Sequence, residues 1–351
     1  MVLFCNLLAG RNAVNDAYKS ILLSLDFEKQ KKIVATIPEG YTLDEFEGNI
    51  NLFVYGKQKG LFSGMGKIAR FLNVVRHIKN NNIKTIIFFY DNTLLHTLLA
   101  IVGYIYNIRL VVWVHDPILQ DGERIHKKII RFLNKYIMFK KADKIIVSYN
   151  GAKLIMHQKY GIKWHKLKTI FLPRMRELEF KDIRAGNYEK KFDFIFFGRL
   201  EEYKGIDLFI DFVSRNQQFS FCIIGKGSYE KYIPHNDNVF FINGYIDGRE
   251  LAKCIMQSRC LILPYKTATG TQTIQVANYY GIPVLATNEG CFPEYIQEGV
   301  NGYIIKYHTV DSVNQCAEIL FNSQLDSKAI KRYFENTFSC TKTIKELFGV
   351  L

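Results

Sequence analysis

Hydrophobic positions fall into short runs rich in Val, Ile, Leu and Phe, and stretches with helical spacing separate most of these runs. Short apolar runs of this kind predict strands that are buried on both faces. Alternation of such strands with helices is typical of a parallel sheet covered by helices, so we predict an α/β fold. The predicted strands of the first half lie near residues 2–7, 32–36, 50–55, 83–89, 109–114, 144–148 and 168–172.

The alternation begins again after a polar, charged stretch, residues 175–191, which we interpret as a linker. The second half has predicted strands near 192–197, 219–224, 238–241, 259–263, 282–286 and 302–305, with helices near 205–216, 247–257, 271–280 and 309–322. A chain of 351 residues is long enough for two such cores. We therefore predict two Rossmann-like domains facing across a cleft, with ligands at the carboxyl ends of the strands. Their predicted bounds are 1–174 and 192–330, and a C-terminal helical segment, 331–351, can return to the first domain.

Three features bear on the compartment. The N-terminus enters a predicted strand without a basic leader, and the seven cysteines are dispersed, as is usual in a reducing cytosol. The uncharged run from Asn92 to Ile108 spans 17 residues and precedes the apolar stretch 110–114. A buried helix that runs into a buried strand explains this run better than a marginal membrane span, which stays the alternative.

Charge separates the two halves. Residues 1–175 hold 27 Lys and Arg against 12 Asp and Glu, whereas residues 176–351 hold 20 against 21. This asymmetry predicts an anionic partner for the first half: a phospholipid surface, a phosphorylated acceptor or nucleic acid. No nucleic-acid binding module is recognisable, so nucleic acid is the least favoured of the three.

Two basic amphipathic segments lie in the cationic half, at 67–84 and 124–144. In the second segment, the helical spacing places Ile129, Leu133 and Ile137 on one face, which we expect to pack on the core, and places Lys127, Arg131 and Lys135 away from it. A solvated outer helix explains either segment alone. Together they predict attachment to an anionic membrane surface through basic helices.

Two cations lie on one predicted strand-to-helix loop of the second half. The strand 192–197 ends in Gly198 and Arg199, and Lys204 with Gly205 opens the next helix. An Arg fork and a Lys point charge beside a helix N-terminus suit a diphosphate, although cations on loops are often merely solvated.

The strands that follow end in further turns able to present backbone groups and hydroxyls to a ligand. These turns add the following candidate binding residues: Gly225, Lys226, Gly244, Tyr245, Ile246, Thr269, Gly270, Thr271, Gln272, Thr273 and Glu294. In the first half, the strand 110–114 delivers His115 and Asp116 to its carboxyl end, and Gly10 and Arg11 follow the first strand.

The order and spacing of these motifs resemble the donor-binding domain of retaining GT-B glycosyltransferases of family 4, closely over 192–305 and loosely before it. The resemblance implies that Arg199 and Lys204 hold a donor diphosphate and stabilise the leaving nucleotide, and that the turn 244–246 faces the base. It also implies that 269–273 contacts phosphate and sugar, that Gly10 and Arg11 close over the donor phosphate, and that His115 acts on the acceptor side or in catalysis.

The implied enzyme moves a hexose from a nucleotide-diphosphate donor, with a UDP-sugar as the first choice, to a lipid-linked oligosaccharide of a bacterial surface polysaccharide. It would work at the cytoplasmic face of the cell membrane. The nucleotide-sugar is then a co-substrate, and no cofactor is expected. Neither an Asp-x-Asp pair nor a close His pair occurs in the chain, so we predict no essential metal.

One departure from the family pattern opens an alternative. The usual pair of glutamates would fall at Ala268 and Val276, neither of which can bind a hydroxyl, so Thr271, Gln272 and Glu294 are the replacement candidates. The alternative is a catalytically impaired, membrane-associated partner subunit of the same fold. A dinucleotide oxidoreductase would need Gly-x-Gly-x-x-Gly after the first strand, which this chain lacks.

Overall fold

The computed structural model describes residues 1–8, 13–25, 33–38, 41–42, 44–46, 52–54, 63–118, 125–173 and 178–351. The chain forms two compact units, one of Met1–Pro173 with Cys340–Leu351 and one of Arg174–Ser339. Each unit is a parallel sheet covered by helices, as the alternating pattern predicts.

The first unit contains a seven-stranded sheet in the order β3-β2-β1-β4-β5-β6-β7, with every pairing parallel. Its strands are β1 (Val2–Cys5), β2 (Ile33–Ile37), β3 (Leu52–Val54), β4 (Thr85–Phe88), β5 (Arg109–Val114), β6 (Lys144–Val147) and β7 (Leu167–Thr169). Its helices are α1 (Ala13–Leu23), α2 (Ser63–Asn80), α3 (Leu94–Ile105), α4 (Ile125–Asn134), which continues as a π-helical turn (Lys135–Phe139), and α5 (Asn150–Tyr160).

The second unit contains a six-stranded sheet in the order β10-β9-β8-β11-β12-β13, again wholly parallel. Its strands are β8 (Phe192–Phe197), β9 (Phe221–Gly225), β10 (Val239–Asn243), β11 (Ser258–Leu263), β12 (Val284–Thr287) and β13 (Gly302–Ile305). Its helices are α6 (Lys181–Ala185), α7 (Ile206–Arg215), α8 (Gly248–Met256), α9 (Thr273–Tyr279), α10 (Phe292–Tyr295), α11 (Val310–Ser323) and α12 (Ser327–Phe338).

The last helix, α13 (Cys340–Phe348), belongs to the first unit and packs on α1. Ile344 and Leu347 of α13 enter the same apolar core as the buried Trp113 of β5. The Arg109 guanidinium donates hydrogen bonds to the carbonyls of Val350 (2.8 Å) and Leu351. The boundary drawn at residue 330 lies inside α12, which packs on α9, so the return to the first unit starts at Cys340 and not at 331.

The segment 175–191, interpreted as a linker, contains structure of the second unit. Residues 174–177 lie outside the described ones, but α6 follows and packs on α8, where Asp182 pairs with Arg249. The charges that suggested a linker serve in part to hold this short helix in place.

Two expectations about helix burial are wrong. The run from Asn92 to Ile108 does form a helix followed by a strand, but the outer face of α3 is exposed and not buried. In α4, Ile129 is 54% exposed and Leu133 38%, whereas Arg131 is only 6% exposed. Among the described residues, no helix is long and apolar enough to cross a membrane.

Candidate functional site

The second sheet has a topological switch point beside its first strand. From β8 the chain adds β9 and β10 on one side and then returns to add β11, β12 and β13 on the other side. The loops after β8 and β11 therefore leave the same edge of the sheet as neighbours, which is where open parallel sheets bind ligands. The first loop carries Gly198, Arg199 and Lys204, and the second carries Tyr265.

Lys204 links these two loops. Its Nζ donates a hydrogen bond of 2.6 Å to the Tyr265 Oη and lies 4.6 Å from the centroid of that ring. Burial lowers the pKa of Lys204, and the Arg199 charge lowers it further, against the opposing influence of the Tyr203 and Tyr245 hydroxyls. A partly desolvated ammonium with a fixed direction is well suited to meet a phosphate oxygen.

Arg199 is oriented by the helical turn that follows it. Its Nη2 donates to the Tyr203 Oη at 2.7 Å, and the guanidinium carbon lies 5.3 Å from the centroid of the Tyr203 ring. Because one edge of the guanidinium bonds this phenol, the remaining N–H groups are left in a defined direction. The two predicted cations are thus each held by a tyrosine.

Glycines allow the site loops to approach one another. A Cβ on Gly225 would lie 1.9 Å from the Gly198 carbonyl oxygen, and one on Gly205, which has φ +62°, would lie 1.7 Å from the Pro264 carbonyl oxygen. Backbone contact replaces side-chain packing at both places. The loops after β8, β9 and β11 consequently pack closely against one another.

Tyr265 is the residue that the sequence analysis missed. Its carbonyl accepts hydrogen bonds from the Thr287 Oγ1 (2.6 Å) and the His308 Nε2 (2.8 Å). The ring is buried, which raises the pKa of its hydroxyl far above the usual range, while a hydrogen bond with the Thr273 side chain opposes this shift. Its position directly after Pro264, at the end of the strand next to β8, is the signal that could have identified it.

The hydroxyl-rich stretch 269–273 leads into α9. The Thr271 Oγ1 accepts a hydrogen bond of 3.2 Å from the Thr273 N, and Gln272 is buried at the start of the helix. Through the hydrogen bond between Thr273 and Tyr265, this stretch joins the partners of Lys204. Glu294 is partly buried in α10.

The turn after β10 lies beside the same loops. The Gly244 N donates to the Gly225 carbonyl at 3.1 Å, and the Tyr245 side chain is 75% exposed. Burial lowers the pKa of Lys204, and the Tyr245 hydroxyl is one of the groups that oppose this shift. Ile246 is partly buried, and Lys226 is exposed after β9.

The two positions of the expected glutamates carry apolar side chains, of which Val276 is buried and Ala268 is partly buried. Val276 is 3% exposed, and a Cβ on Gly290 would lie 1.9 Å from the Ala268 carbonyl oxygen. Neither side chain offers a hydrogen-bonding atom to a ligand. The structure therefore supplies no carboxylate at these two places.

In the first unit, His115 follows β5 and is 6% exposed. Its Nε2 donates a hydrogen bond of 2.7 Å to the Phe89 carbonyl, and the ring stacks on Trp113 with centroids 5.7 Å apart. Burial lowers the pKa of His115, although Asp116 opposes the shift, so the imidazole is neutral at pH 7. With the proton on Nε2, the Nδ1 atom is the acceptor of this tautomer. Gly10 and Arg11, the other candidates of this unit, lie outside the described residues.

A buried ion pair lies next to this strand end. Arg131 of α4 pairs with Asp91 and donates at 2.8 Å to the Asp116 carbonyl, and Asn134 donates to the Asp91 carbonyl. Burial raises the pKa of Asp91 to about 6, although the Arg131 guanidinium pulls it down. The pair fixes α4 to the ends of β4 and β5. No group of three His, Cys, Asp or Glu residues suited to a metal ion occurs in the described part of the chain.

Comparison with known proteins supports the fold of the chain. Residues 179–337, which make up most of the second unit, match the family model described as Glycosyl transferases group 1. Over the whole chain, HepE from Anabaena, solved in complex with UDP, has a similar structure, with a TM-score of 0.73, 15% identity and 100% of each chain covered. Two sheets of this kind in one chain define the GT-B fold.

Two sequence relatives span most of the chain. An uncharacterized 41.2 kDa protein in the cps region of Klebsiella pneumoniae is 25% identical over 321 residues, 84% of each protein. An uncharacterized glycosyltransferase of Haemophilus influenzae is 22% identical over 328 residues, which is 86% of this chain and 84% of the relative.

Proposed function

We propose that this protein transfers a hexose, with retention, from a nucleotide-diphosphate sugar to a lipid-linked saccharide in the synthesis of a bacterial surface polysaccharide. The observation that carries the proposal is the pair of tyrosine-held cations, Arg199 and Lys204, at the switch point of a group 1 domain. A UDP-sugar is the donor we favour, because a protein with a similar structure was solved with UDP. A relative encoded in a cps region supports the polysaccharide context.

The reaction requires stabilisation of the negative charge that develops on the leaving group. The bond between the anomeric carbon and the donor phosphate oxygen breaks, and its electron pair stays on the diphosphate. The acceptor hydroxyl oxygen forms the new bond to that carbon, and its proton passes to the departing diphosphate. Arg199 and Lys204 would stabilise the negative charge that develops on the diphosphate, which is commonly the largest electrostatic contribution to catalysis. We assign the neutral His115 to the sugar or to the acceptor hydroxyl, and we assign no step to a metal.

The base and the sugar have candidate contacts of their own. The exposed ring of Tyr245 and the turn 244–246 are assigned to the base, and Gly225 and Lys226 to the phosphate side. Thr271, Gln272, Thr273 and Glu294 are assigned to the sugar and take the place of the glutamates absent at Ala268 and Val276. Gly10 and Arg11 are assigned to the donor phosphate, over which they would close. Attachment to the cytoplasmic face of an anionic membrane would bring the enzyme to its acceptor.

Substitution of the two cations tests the proposal. We expect Lys204→Ala and Arg199→Ala each to lower kcat by about 100-fold to 1000-fold, as removal of a transition-state donor does. Lys231→Ala is the matched control, since Lys231 is an exposed lysine over a tyrosine ring, at 4.9 Å from the Tyr232 centroid. Turnover would be followed with a panel of labelled nucleotide-sugars. Near-normal rates in both variants would refute the diphosphate assignment.

The catalytically impaired partner subunit remains a second candidate, because neither Val276 nor Ala268 has a polar side-chain atom that could bind a hydroxyl. Nucleotide binding separates the two candidates. A nucleoside diphosphate that binds the native state adds about 2.7 kcal/mol at 100 times its Kd and so raises the Tm. A rise with UDP that is lost in Lys204→Ala supports a working donor site; no rise with UDP, GDP or ADP supports the subunit.

A further inference from the structure

The outer face of α3 carries only apolar side chains. Leu94, Leu98, Ile101, Tyr104 and Ile105 are between 37% and 70% exposed. Their spacing follows one stripe of the helix, and no charged residue occurs between Leu94 and Ile105. Single exposed apolar residues are ordinary, but a continuous stripe of this length marks a surface that binds something.

A second stripe lies on the neighbouring helix. Ile125, Ile129, Phe132, Leu133 and Tyr136 of α4 and its π-helical turn are between 38% and 76% exposed. The two helices touch through their inner faces, where the Thr97 Oγ1 donates to the Asn134 Oδ1 at 2.8 Å. The two outer stripes therefore lie side by side, and we call them together the α3–α4 apolar surface.

The buried ion pair explains why α4 exposes this stripe. Arg131 and Asn134 point inward to Asp91, so the opposite side of the helix, with Ile129 and Phe132, has to point outward. The exposure is thus a consequence of specific buried bonds and not of loose packing. The apolar side chains are held in solvent by a helix that these buried bonds anchor to the sheet.

The charge around this surface favours one kind of occupant. Residues 125–173 contain 12 Lys and Arg against a single acidic residue, Asp143. Lys128, Lys140 and Lys141 are exposed, and the Lys141 Nζ lies 4.3 Å from the centroid of the Tyr104 ring of the α3 stripe. Apolar side chains flanked by cations with long aliphatic stems match the boundary between acyl chains and anionic headgroups.

We propose that the α3–α4 apolar surface inserts into the acyl boundary of an anionic bilayer, with the surrounding lysines on the headgroups. This deepens the membrane part of the proposed function, because it replaces purely electrostatic attachment by apolar insertion at named side chains. The surface lies in the first unit, and its binding to lipid requires neither the donor nor catalysis.

Binding to vesicles tests the insertion. The intact protein is expected to co-sediment with phosphatidylglycerol-containing vesicles and to keep a measurable part of that binding at about 0.5 M salt, where charge attraction is largely screened. The variants Ile129→Ser/Phe132→Ser and Leu98→Ser/Ile105→Ser should each lose about tenfold or more in partition coefficient. Because the four side chains are exposed, the variants should keep the circular dichroism of the wild type.

The matched control is Ile319→Ser/Tyr307→Ser in the second unit, whose side chains are 51% and 72% exposed. It should bind vesicles as the wild type does. Phe132→Trp adds a direct readout, since insertion shifts the Trp emission to shorter wavelength and exposes it to quenching by brominated lipid.

Three results would overturn the proposal: no binding to the anionic vesicles, complete loss of binding in high salt, or unchanged binding of both apolar variants. Light scattering tests the competing occupant. If the wild type is a dimer and the apolar variants are monomers, the surface is an interface between copies. The UDP-dependent rise in Tm is measured on the same variants, so failure here is distinguishable from failure of the donor site.

Discussion

At the scale of single residues, the candidate donor site is set by what holds its cations. Lys204 and Arg199 are each oriented by a phenol, Tyr265 and Tyr203, and Tyr265 is in turn fixed by Thr287 and His308. A lysine that is already directed and partly desolvated has less side-chain freedom to lose when it meets an anion. The tyrosine is therefore a positioning residue for the reaction we propose.

Tyr265→Phe tests this role. Loss of a hydrogen bond to a charged group costs about 1.5–3 kcal/mol, so kcat/KM should fall by about tenfold to a hundredfold. The hydroxyl favours the charged form of Lys204, so its removal should lower the pKa of Lys204 further. The alkaline limb of the pH–rate profile should then move to lower pH. A lower Tm with an unmoved alkaline limb would assign Tyr265 a structural role only.

At the scale of elements, the sequence predicted most strands, and it did so for a local reason. Buried parallel strands need continuous apolar runs, and most of the strands that the structure describes coincide with one such run. The candidate cations could also be found, because both lie on the loop that joins a predicted strand to the next helix. Their tyrosine partners could not, since the bond from Lys204 to Tyr265 joins residues 61 positions apart.

Helix orientation was predictable only in part. The periodicity of α4 correctly separates two faces, but it does not say which one packs inward. Arg131 is inward because Asp91, 40 residues earlier, lies at the end of β4, and a buried carboxylate requires a partner. Hydrophobicity alone predicts that the apolar face of α4 packs inward. A polar contact between residues distant in sequence turns the opposite face inward instead.

This ion pair predicts a pH-dependent stability. The folded-state pKa of Asp91, about 6, is above its ordinary 3.8. The stability that Asp91 adds to the folded state is therefore fully present below about pH 4 and is lost as the pH rises through 6. In Arg131→Met, this pKa should rise further, so the loss should extend to higher pH. We expect Arg131→Met to lower the free energy of unfolding by about 3–5 kcal/mol, with a larger decrease at about pH 8 than at about pH 5.

Urea unfolding at both pH values measures this cost. Asp91→Asn in the Arg131→Met background should restore part of the stability at the higher pH, because it removes the unpaired buried carboxylate. An equal cost at the two pH values, or no restoration in the double variant, would contradict the electrostatic explanation.

At the scale of the whole molecule, the chain crosses from the second unit back to the first at Ser339 and Cys340. Ile344 and Leu347 then complete a core that begins with Phe4 of β1. Stability of the first unit therefore depends on residues that the sequence places beside the second.

Ile344→Ala/Leu347→Ala should selectively weaken the first unit, by about 2–5 kcal/mol for each site. Hydrogen exchange measured by mass spectrometry should rise in β1 and β5 and stay unchanged in β8 and β11. Ile330→Ala, at a fully buried position of α12, is the matched control and should show the reverse pattern. Uniform acceleration of exchange across both sheets would mean that the two units unfold together.

The return of α13 also determines when the first unit can complete its core. Synthesis proceeds from the N-terminus, so the strands of the first sheet leave the ribosome before any residue of the helix that covers their core. At about 5–20 residues per second, translation of the intervening unit takes on the order of ten seconds. During that interval the second unit, whose residues are continuous in the chain, can fold first, while the nascent first sheet lacks the apolar side chains that α13 contributes to its core.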